Sequence, residues 1–282
     1  MSIRLARRLS RLVVTAVLVG LAISAVIFGI IDWHLHDMQV YEAAALRLRS
    51  GDQLYGGPID PNTAYRYAPW FAFAFAPLTY LPDLARNVLW SVFLLGGSAL
   101  ALVPLARERR LEARLLLVFL AAILFGISSG GNIQGPMLAM LVWGMPTRWG
   151  GLVVGIAASL KVVPIALAAV FIAERRWSQL AYAVVAAIVL WAPIVLFEID
   201  PITLDPGLAR TLPTWGWVLV AASAAIATVA MALFAPRYTA LSAATAAILA
   251  LPRLFVYEIT LLVAGLHPVR DARAPQRPPV ER

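Results

Sequence analysis

The sequence predicts an all-α protein that crosses a membrane several times, and three observations lead to this fold class. Of its 282 residues, 61% are hydrophobic and only 13% are charged. The mean hydropathy is +0.82, and a chain this apolar does not close around one water-soluble core. The apolar residues come in long runs, beginning at 12–31. The arginines form short clusters between the runs, which is typical of the cytoplasmic loops of membrane proteins.

The net charge and the cysteine content exclude several classes of function. The formal charge is +8, but the basic residues form loop clusters and no continuous basic face, so we expect no nucleic-acid partner. The chain has no cysteine, which excludes disulfides, thiolate catalysis and Cys-ligated metals. The basic clusters lie at 4–11, 107–114, 174–176 and 270–277.

Nine apolar segments are predicted as spanning or half-spanning helices, and several are shorter than the roughly 20 residues that a full crossing needs. The first is longer than the apolar part of a signal peptide and lacks a small-x-small cleavage site, so we expect it to be retained. We expect one integral-membrane domain over 1–267 and a basic cytoplasmic tail over 268–282. The segments lie at about 12–31, 87–105, 115–128, 136–146, 151–173, 179–197, 213–234, 238–251 and 254–267.

The segment 151–173 breaks the alternation of sides. A full crossing would place Arg148 and Arg175 on opposite sides of the membrane, against the charge rule. Lys161 and Pro164 near its middle favour a helix that breaks and returns as a hairpin. A complete crossing that violates the charge rule is the alternative.

With the N-terminal arginines inside, residues 32–86 form a large first extracytoplasmic loop. Residues 37–51 read as a short amphipathic helix on the membrane surface, stopped by Gly51. Residues 71–82 are apolar but too short to span, which predicts an interfacial or re-entrant piece. A water-accessible site at the surface of the outer leaflet suits an enzyme whose substrate has both a lipid part and a polar part.

An ordered series of motifs runs through the chain, and it resembles bacterial glycosyltransferase family 87, integral-membrane transferases of the GT-C fold. The resemblance implies a GT-C-type bundle of about 8–9 transmembrane or half-spanning helices. It also implies transfer of a hexose or pentose from a polyprenyl-phosphate donor to a lipid or cell-envelope glycan on the outer face of the cytoplasmic membrane. The motifs are DMQVY (37–41), SGDQLYGG (50–57), YRYAPWFAFAFAPLTYLP (65–82), SSGGNIQGPMLAMLVW (128–143), GIAASLKVVPIALAAVFIAERRW (155–177) and ALPRLFVYEITLLVAGL (250–266).

The resemblance also implies the site residues. The carboxylate of the D-x-x-V-Y motif is Asp37, which we expect to be catalytic. The family's G-Q motif appears here as GGNIQG, so both amides of that stretch are carried over. Together with the chemical arguments below, the resemblance leads us to expect the following residues to bind substrate: Asp32, His36, Tyr41, Tyr65, Arg66, Tyr67, Asn132, Gln134, Lys161, Arg253, Tyr257 and Glu258.

The chemistry of sugar transfer supports the choice of Asp37 independently. Phosphate is a good leaving group, so one carboxylate that takes the proton of the attacking hydroxyl can suffice. Asp37 opens the surface helix, where the helix dipole favours a negative charge. A plain N-cap role for Asp37 is the alternative. Asp32 precedes His36 by one helical turn, so it is either a second carboxylate or an orienter of the imidazole.

Cations must stabilise the departing phosphate, and three are available. Arg66 lies between two tyrosines at the interface and has the guanidinium geometry for bidentate phosphate binding. Lys161 lies in an apolar segment, where a charge needs an anion, which is either the phosphate or Glu258. Arg253 at an outer helix end is the third candidate, with a snorkelling interfacial role as its alternative.

No tightly bound cofactor or metal is expected. His34 and His36 form a His-x-His pattern, which needs strand geometry and a further ligand to hold a metal. We interpret them as interfacial residues beside the site. Tyr257 and Glu258 either bind the sugar or acceptor or belong to the interfacial belt.

Two other functions stay open. A transporter or lipid flippase would also use charged residues within spans, but it has little need for the long outer loop, and the two halves show no inverted repeat. An inactive GT-C-like scaffold is the second alternative, because the chain ends soon after the last motif.

Overall fold

The structure is a computed structural model that describes residues 3–30, 35–55, 64–108, 110–199, 213–251 and 255–266. The regular elements in these ranges are helices, apart from an isolated bridge between Tyr55 and Ile199. The helices are α1 (Ile3–Ile30), α2 (His36–Ser50), α3 (Pro69–Phe75), α4 (Asp83–Arg107), α5 (Leu111–Ser129), α6 (Gln134–Gly144), α7 (Gly150–Leu160), α8 (Ala169–Ala173), α9 (Trp177–Trp191), α10 (Thr214–Phe234), α11 (Thr239–Leu249) and α12 (Leu262–Gly265). Short 3₁₀ segments follow α3 (Ala76–Tyr80) and α9 (Ala192–Leu196), and others precede α8 (Val163–Ala168), α11 (Pro236–Tyr238) and α12 (Val256–Leu261).

Among the described residues, five helices are long and apolar enough to cross a membrane: α1, α4, α5, α10, and α9 with its 3₁₀ extension. The candidate spans in α1, α9 and α10 each have only 11% of their residues buried in the protein, so most of their apolar surface is available to lipid. The prediction of an all-α polytopic membrane protein is confirmed. The first turn of α4 was missed, because the predicted span began at residue 87 and the helix begins at Asp83.

Helix α6 is only half the length of a span, about 16 Å at the usual helical rise. It packs beside the middle of α4, where a Cβ on Gly97 would lie 2.6 Å from the Cα of Pro136. A Cβ on Gly135 would overlap the side chain of Ser98 in the same way. The two glycines therefore allow α6 to begin within the bundle, at the depth of the middle of α4.

Residues 150–173 form the predicted hairpin. Helix α7 ends at Leu160, and Lys161 is extended with φ −140° and ψ 126°. The chain then returns through Val163–Ala168 and α8, and Arg176 donates to the carbonyl oxygens of Met145 at 3.3 Å and Thr147 at 2.6 Å. Both ends of the hairpin thus lie together, and Lys161 is at its tip. The alternative of a complete crossing is wrong.

Helix α9 runs parallel to α7 and packs tightly against it. The side-chain oxygen of Gln179 accepts from the backbone N–H of Gly151 at 2.8 Å, and Trp191 donates to the carbonyl of Ala158 at 3.2 Å near the other end. Between them, a Cβ on Gly155 would lie 2.5 Å from the Cβ of Ala186. Small residues therefore let the backbones of α7 and α9 approach closely.

The last apolar segments are also half-length. Helix α11 has 11 residues, and the chain comes back through Val256–Leu261 to α12. A Cβ on Gly265 would be 2.9 Å from the Cβ of Ala244, so the end of α12 returns to the level of α11. The predicted segments 238–251 and 254–267 both exist, but neither is long enough to cross a bilayer alone.

The loop between α1 and α4 contributes α2 and α3, as expected. Gly51 ends α2 in the left-handed conformation with φ 77°, which confirms the predicted glycine stop. The start of α4 holds α2 in place, because Arg86 forms ion pairs with Glu42 at 2.8 Å and Asp83 at 3.0 Å. The backbone N–H of Ala68, just before α3, donates to the carbonyl of Ser159 at 3.2 Å, so α3 covers the tip of the hairpin.

The hairpin predicts the sides on which two exposed positions lie. The chain has no cysteine, so single cysteines can be placed at Asp52 after α2 and at Ser178 at the base of the hairpin. We expect an impermeant maleimide to label the Asp52→Cys protein in intact cells and the Ser178→Cys protein only after the cells are opened. Labelling from the opposite sides would refute this topology.

Candidate active site

Asp37 lies in the first turn of α2, and the turn at 130–132 fixes its position. The backbone N–H of Asp37 donates to the carbonyl of Gly130 at 2.9 Å. Gly131 has φ 88°, and a Cβ there would lie 2.7 Å from the backbone nitrogen of Met38, so only glycine fits. The N-cap residue is Leu35, and the plain N-cap interpretation of Asp37 is therefore wrong.

The Asp37 carboxylate accepts a hydrogen bond from a side-chain amide in the turn between α5 and α6. Asn132 Nδ2 donates to Asp37 Oδ2 at 2.5 Å. Burial raises the pKa of Asp37 above its ordinary value, whereas this hydrogen bond and the nearby charges of Lys161 and His36 lower the pKa. A carboxylate that is partly desolvated but still ionisable is a stronger base than one in water.

The hydrogen bonds continue from Asn132 to the last half-length segment. Asn132 Oδ1 accepts from the backbone N–H of Gln134 at 2.9 Å. Gln134 Nε2 then donates to Thr260 Oγ1 at 3.2 Å. Gln134 is fully buried, and its Oε1 has no hydrogen-bond partner in the described part of the chain. Both predicted amides thus lie in one chain of contacts, although only Asn132 touches Asp37.

Lys161 and Glu258 form an ion pair at 2.9 Å, with only 13% and 3% of their side chains exposed. The Lys161 ammonium also lies 4.6 Å from the centre of the Tyr257 ring. Glu258 Oε2 is buried without a hydrogen bond among the described residues. The sequence left phosphate and Glu258 as the two possible anions for Lys161, and the structure pairs Lys161 with Glu258. The second carboxylate oxygen, Oε2, can still accept a hydrogen bond.

The predicted tyrosines pack around the same centre. The Tyr41 and Tyr67 hydroxyls are 3.0 Å apart, and burial raises the pKa of Tyr67 well above its ordinary value, so its hydroxyl stays protonated at neutral pH. Tyr55 donates to the carbonyl of Tyr67 at 2.8 Å. Tyr65 is buried and donates to the carbonyl of Ala68 at 3.0 Å, which makes it a support of the loop.

Of the remaining predicted residues, two are described and the others lie outside the described ranges. Arg66 is half-buried beside Tyr67, and His36 is exposed. Asp32, His34 and Arg253 lie outside the described residues, so what we expect of them stays a prediction. Within the described residues, no group of three or more His, Asp or Glu side chains could hold a metal ion.

Two tryptophans that support the site were not predicted. Trp90 is buried, donates to the carbonyl of Gly131 at 2.9 Å and packs its ring edge-on to Tyr41. Trp70 donates to Ser159 Oγ at 2.9 Å next to the hairpin tip. Each lies in or next to an apolar run, where a tryptophan signals only burial or an interfacial position, so the sequence held no sign of these contacts.

The chain is similar to known proteins over part of its length. The model of Glycosyltransferase family 87 matches residues 65–203. A polyprenol-phosphate-mannose-dependent alpha-(1-2)-phosphatidylinositol mannoside mannosyltransferase of Mycobacterium tuberculosis is 30% identical over 190 residues, which cover 54% of this chain and 44% of that protein. The match therefore spans less than half of the relative. No solved structure matches the chain. The resemblance drawn from the motifs is confirmed, because the model of glycosyltransferase family 87 matches residues 65–203, just under half of the chain.

Proposed function

We propose that the protein is a membrane glycosyltransferase that moves a sugar from a polyprenyl-phosphate donor to a hydroxyl of a lipid or glycan acceptor. The observation that carries this proposal is the position of Asp37, a partly buried carboxylate held by Asn132 within the electrostatic reach of Lys161. The family match supports the reaction class. The similarity to the mycobacterial mannosyltransferase supports a polyprenyl-phosphate donor and makes mannose the first sugar to test. Asp37 and Glu258 lie outside the matched residues, so their roles rest on the geometry.

In the proposed reaction Asp37 takes the proton of the acceptor hydroxyl. The freed oxygen forms a bond with the anomeric carbon of the sugar, and the bond between that carbon and the phosphate oxygen breaks. The electron pair leaves with the polyprenyl phosphate. Asn132 keeps one carboxylate oxygen of Asp37 oriented, so the other oxygen faces the acceptor.

The departing phosphate gains negative charge, and Lys161 is the buried cation beside the base. Its pairing with Glu258 compensates the charge of each partner in the resting site, which lowers the cost of holding the ammonium within the bundle. When phosphate arrives, the ammonium can share its donors, because a lysine has three. Arg66 is the second proposed phosphate ligand, and Arg253 the third.

Two buried oxygens can receive hydroxyl groups of the sugar. Gln134 Oε1 and Glu258 Oε2 both lack partners in the described residues. A buried acceptor without a donor costs free energy, which a hydroxyl of the bound sugar would recover. The protonated Tyr67 hydroxyl and the Tyr257 ring complete the polar and flat surfaces that a sugar ring needs.

The site is proposed to open to the outer face of the cytoplasmic membrane. The turn that holds Asp37 also accepts a hydrogen bond from Trp90, two turns into α4, so in this proposal Asp37 lies below the outer end of the bundle. The polyprenyl chain would remain in the bilayer while the sugar reaches this depth. A transporter is the second candidate, because two half-length segments meet here at a charged pair.

Asp37→Asn should abolish most transfer while the protein still folds. The amide keeps the size of the side chain and can accept from Asn132, but it takes up no proton. We expect a loss of about 10²–10⁴-fold in rate, measured as movement of label from radiolabelled polyprenyl-phosphate mannose, with other polyprenyl-phosphate sugars in parallel, in membranes with equal protein. Asp52→Asn, an exposed carboxylate just past the other end of α2, is the matched control and should retain activity. Near-normal transfer by the Asp37 variant would remove Asp37 as the base, and label that crosses sealed vesicles without transfer would favour a transporter.

Asn132→Ala should shift the acid limb of the pH–rate profile to higher pH. Burial raises the pKa of Asp37 and the Asn132 hydrogen bond opposes that rise. Without this bond the carboxylate is protonated at a higher pH, so activity is lost earlier as the pH falls. Thr260→Val breaks the far end of the same hydrogen-bond chain without touching Asp37, and its acid limb should match the wild type. Equal acid limbs in all three proteins would show that Asn132 does not act on the base.

Lys161→Met should lower both stability and turnover. Adding Glu258→Gln to this variant should restore stability but not turnover. The single change leaves the Glu258 charge buried and unpaired, which costs about 3–5 kcal/mol of stability. The double change removes both charges and should restore thermal stability, measured by size-exclusion after heating in detergent, but not turnover. Recovery of turnover in the double variant would mean that the pair has only a structural role.

A further inference from the structure

Arg175 adopts a backbone conformation that arginine rarely takes. Its φ is 54°, and within the described ranges it is the non-glycine residue with a positive φ. It follows α8 at the position where helices usually end in glycine or asparagine. The backbone N–H of Arg175 donates to the carbonyl oxygen of Ile172 at 3.1 Å, and that of Arg176 donates to the carbonyl oxygen of Phe171 at 2.8 Å. These are the two hydrogen bonds of a Schellman motif. A glycine would close this motif without strain, so the side chain of Arg175 needs another explanation.

The arginine lines a cavity at the base of the hairpin, between α8, α9 and α10. Its volume is about 330 Å³, within the size range of small-ligand sites. Apart from Arg175, the lining side chains are apolar. They are Ile172, Ala173, Trp177, Ala232 and Leu233. The cavity is therefore an apolar hollow with one cation at its edge.

Other arginines at this end of the bundle are already engaged. Arg176 forms an ion pair with Glu174 at 3.1 Å, besides its bonds to the 145–147 turn. Arg107, Arg148 and Arg237 each lie over an aromatic ring, of Trp143, Trp149 and Tyr238 respectively. In the part of the chain that the structure describes, the Arg175 guanidinium has no hydrogen bond or ion pair.

The surroundings of the cavity place it at the edge of the lipid. Arginines lie beside aromatic rings at this end of the bundle, and both residue types are typical of the membrane–water interface. Trp177 is 59% exposed and Leu233 40% exposed, and α9 and α10 bury little of their surface in the protein. A molecule in the cavity would touch the arginine at one end and lipid-facing side chains at the other.

We propose that this cavity binds the headgroup of an anionic phospholipid, with the lipid phosphate on Arg175 and the glycerol and first acyl carbons against Ile172, Trp177 and Leu233. Guanidinium and phosphate match in charge and in hydrogen-bond geometry. The apolar lining suits a molecule with tails and does not suit free phosphate. The site is remote from Asp37, since the hairpin separates its base from its tip, so it is independent of the proposed catalysis.

Native mass spectrometry of the purified protein can test this site. The protein, in a neutral detergent, is titrated with phosphatidylglycerol and with phosphatidylcholine of the same acyl chains, and separately with inorganic phosphate. We expect one phosphatidylglycerol to bind more tightly than phosphatidylcholine. Arg175→Asn should weaken that binding by about tenfold or more, as for the loss of one charge-assisted contact. Asparagine tolerates the left-handed conformation, so this variant should fold.

Arg148→Asn is the matched control, because Arg148 lies at the same end of the bundle against its own neighbour, Trp149. It should bind phosphatidylglycerol like the wild type. Equal binding by Arg175→Asn and wild type, an equal loss in both variants, or no preference of the wild type for the anionic lipid would each overturn the proposal. Binding of inorganic phosphate as tight as that of the lipid would overturn it too, by showing a site for free phosphate.

Discussion

The ion pair between Lys161 and Glu258 is the interaction on which the centre of this protein depends. Each charge lies on a segment that ends or breaks within the bundle, and neither could be held there alone at a modest cost. Their pairing at 2.9 Å joins the tip of the 150–173 hairpin to the segment Val256–Leu261. Because Gln134 donates to Thr260 in that same segment, the pair also stabilises the turn that holds Asp37.

Close backbone packing makes this meeting of half-length segments possible. Within a bilayer, association relies on tight contact between helices, because lipid tails are as apolar as the side chains. Gly155 packs on α9, and Gly97 packs against Pro136 at the start of α6. Larger residues would push these backbones apart. The polar groups at the ends of α6 and α7 would then separate from one another, so the small residues are a condition for the site.

The proposed chemistry is divided between two parts of the fold. The base comes from α2, which is fixed to the start of α4 by Arg86, while the cation and the free carboxylate oxygen come from the half-length segments. A polyprenyl-linked donor must keep its tail in lipid and bring its phosphate to a polar group. The proposed site, where the loop between α1 and α4 meets short, buried segments, would meet both needs and would limit the water that competes with the acceptor.

The sequence by itself determined the features that depend on local composition. Run length and hydropathy identified the spans, Gly51 identified the end of α2, and a lysine followed by a proline indicated the hairpin at 151–173. These features follow from the free-energy cost of burying charges and backbone polar groups in lipid, and that cost depends on the composition of each segment alone. The motifs also selected most residues that cluster around Asp37.

The sequence left the partner of Lys161 open, and it offered no sign that Trp90 or Thr260 supports the site. Asn132 and Asp37 are 95 positions apart, and Lys161 and Glu258 are 97. Only the tertiary structure decided those contacts, because they depend on how closely small residues let separate helices approach.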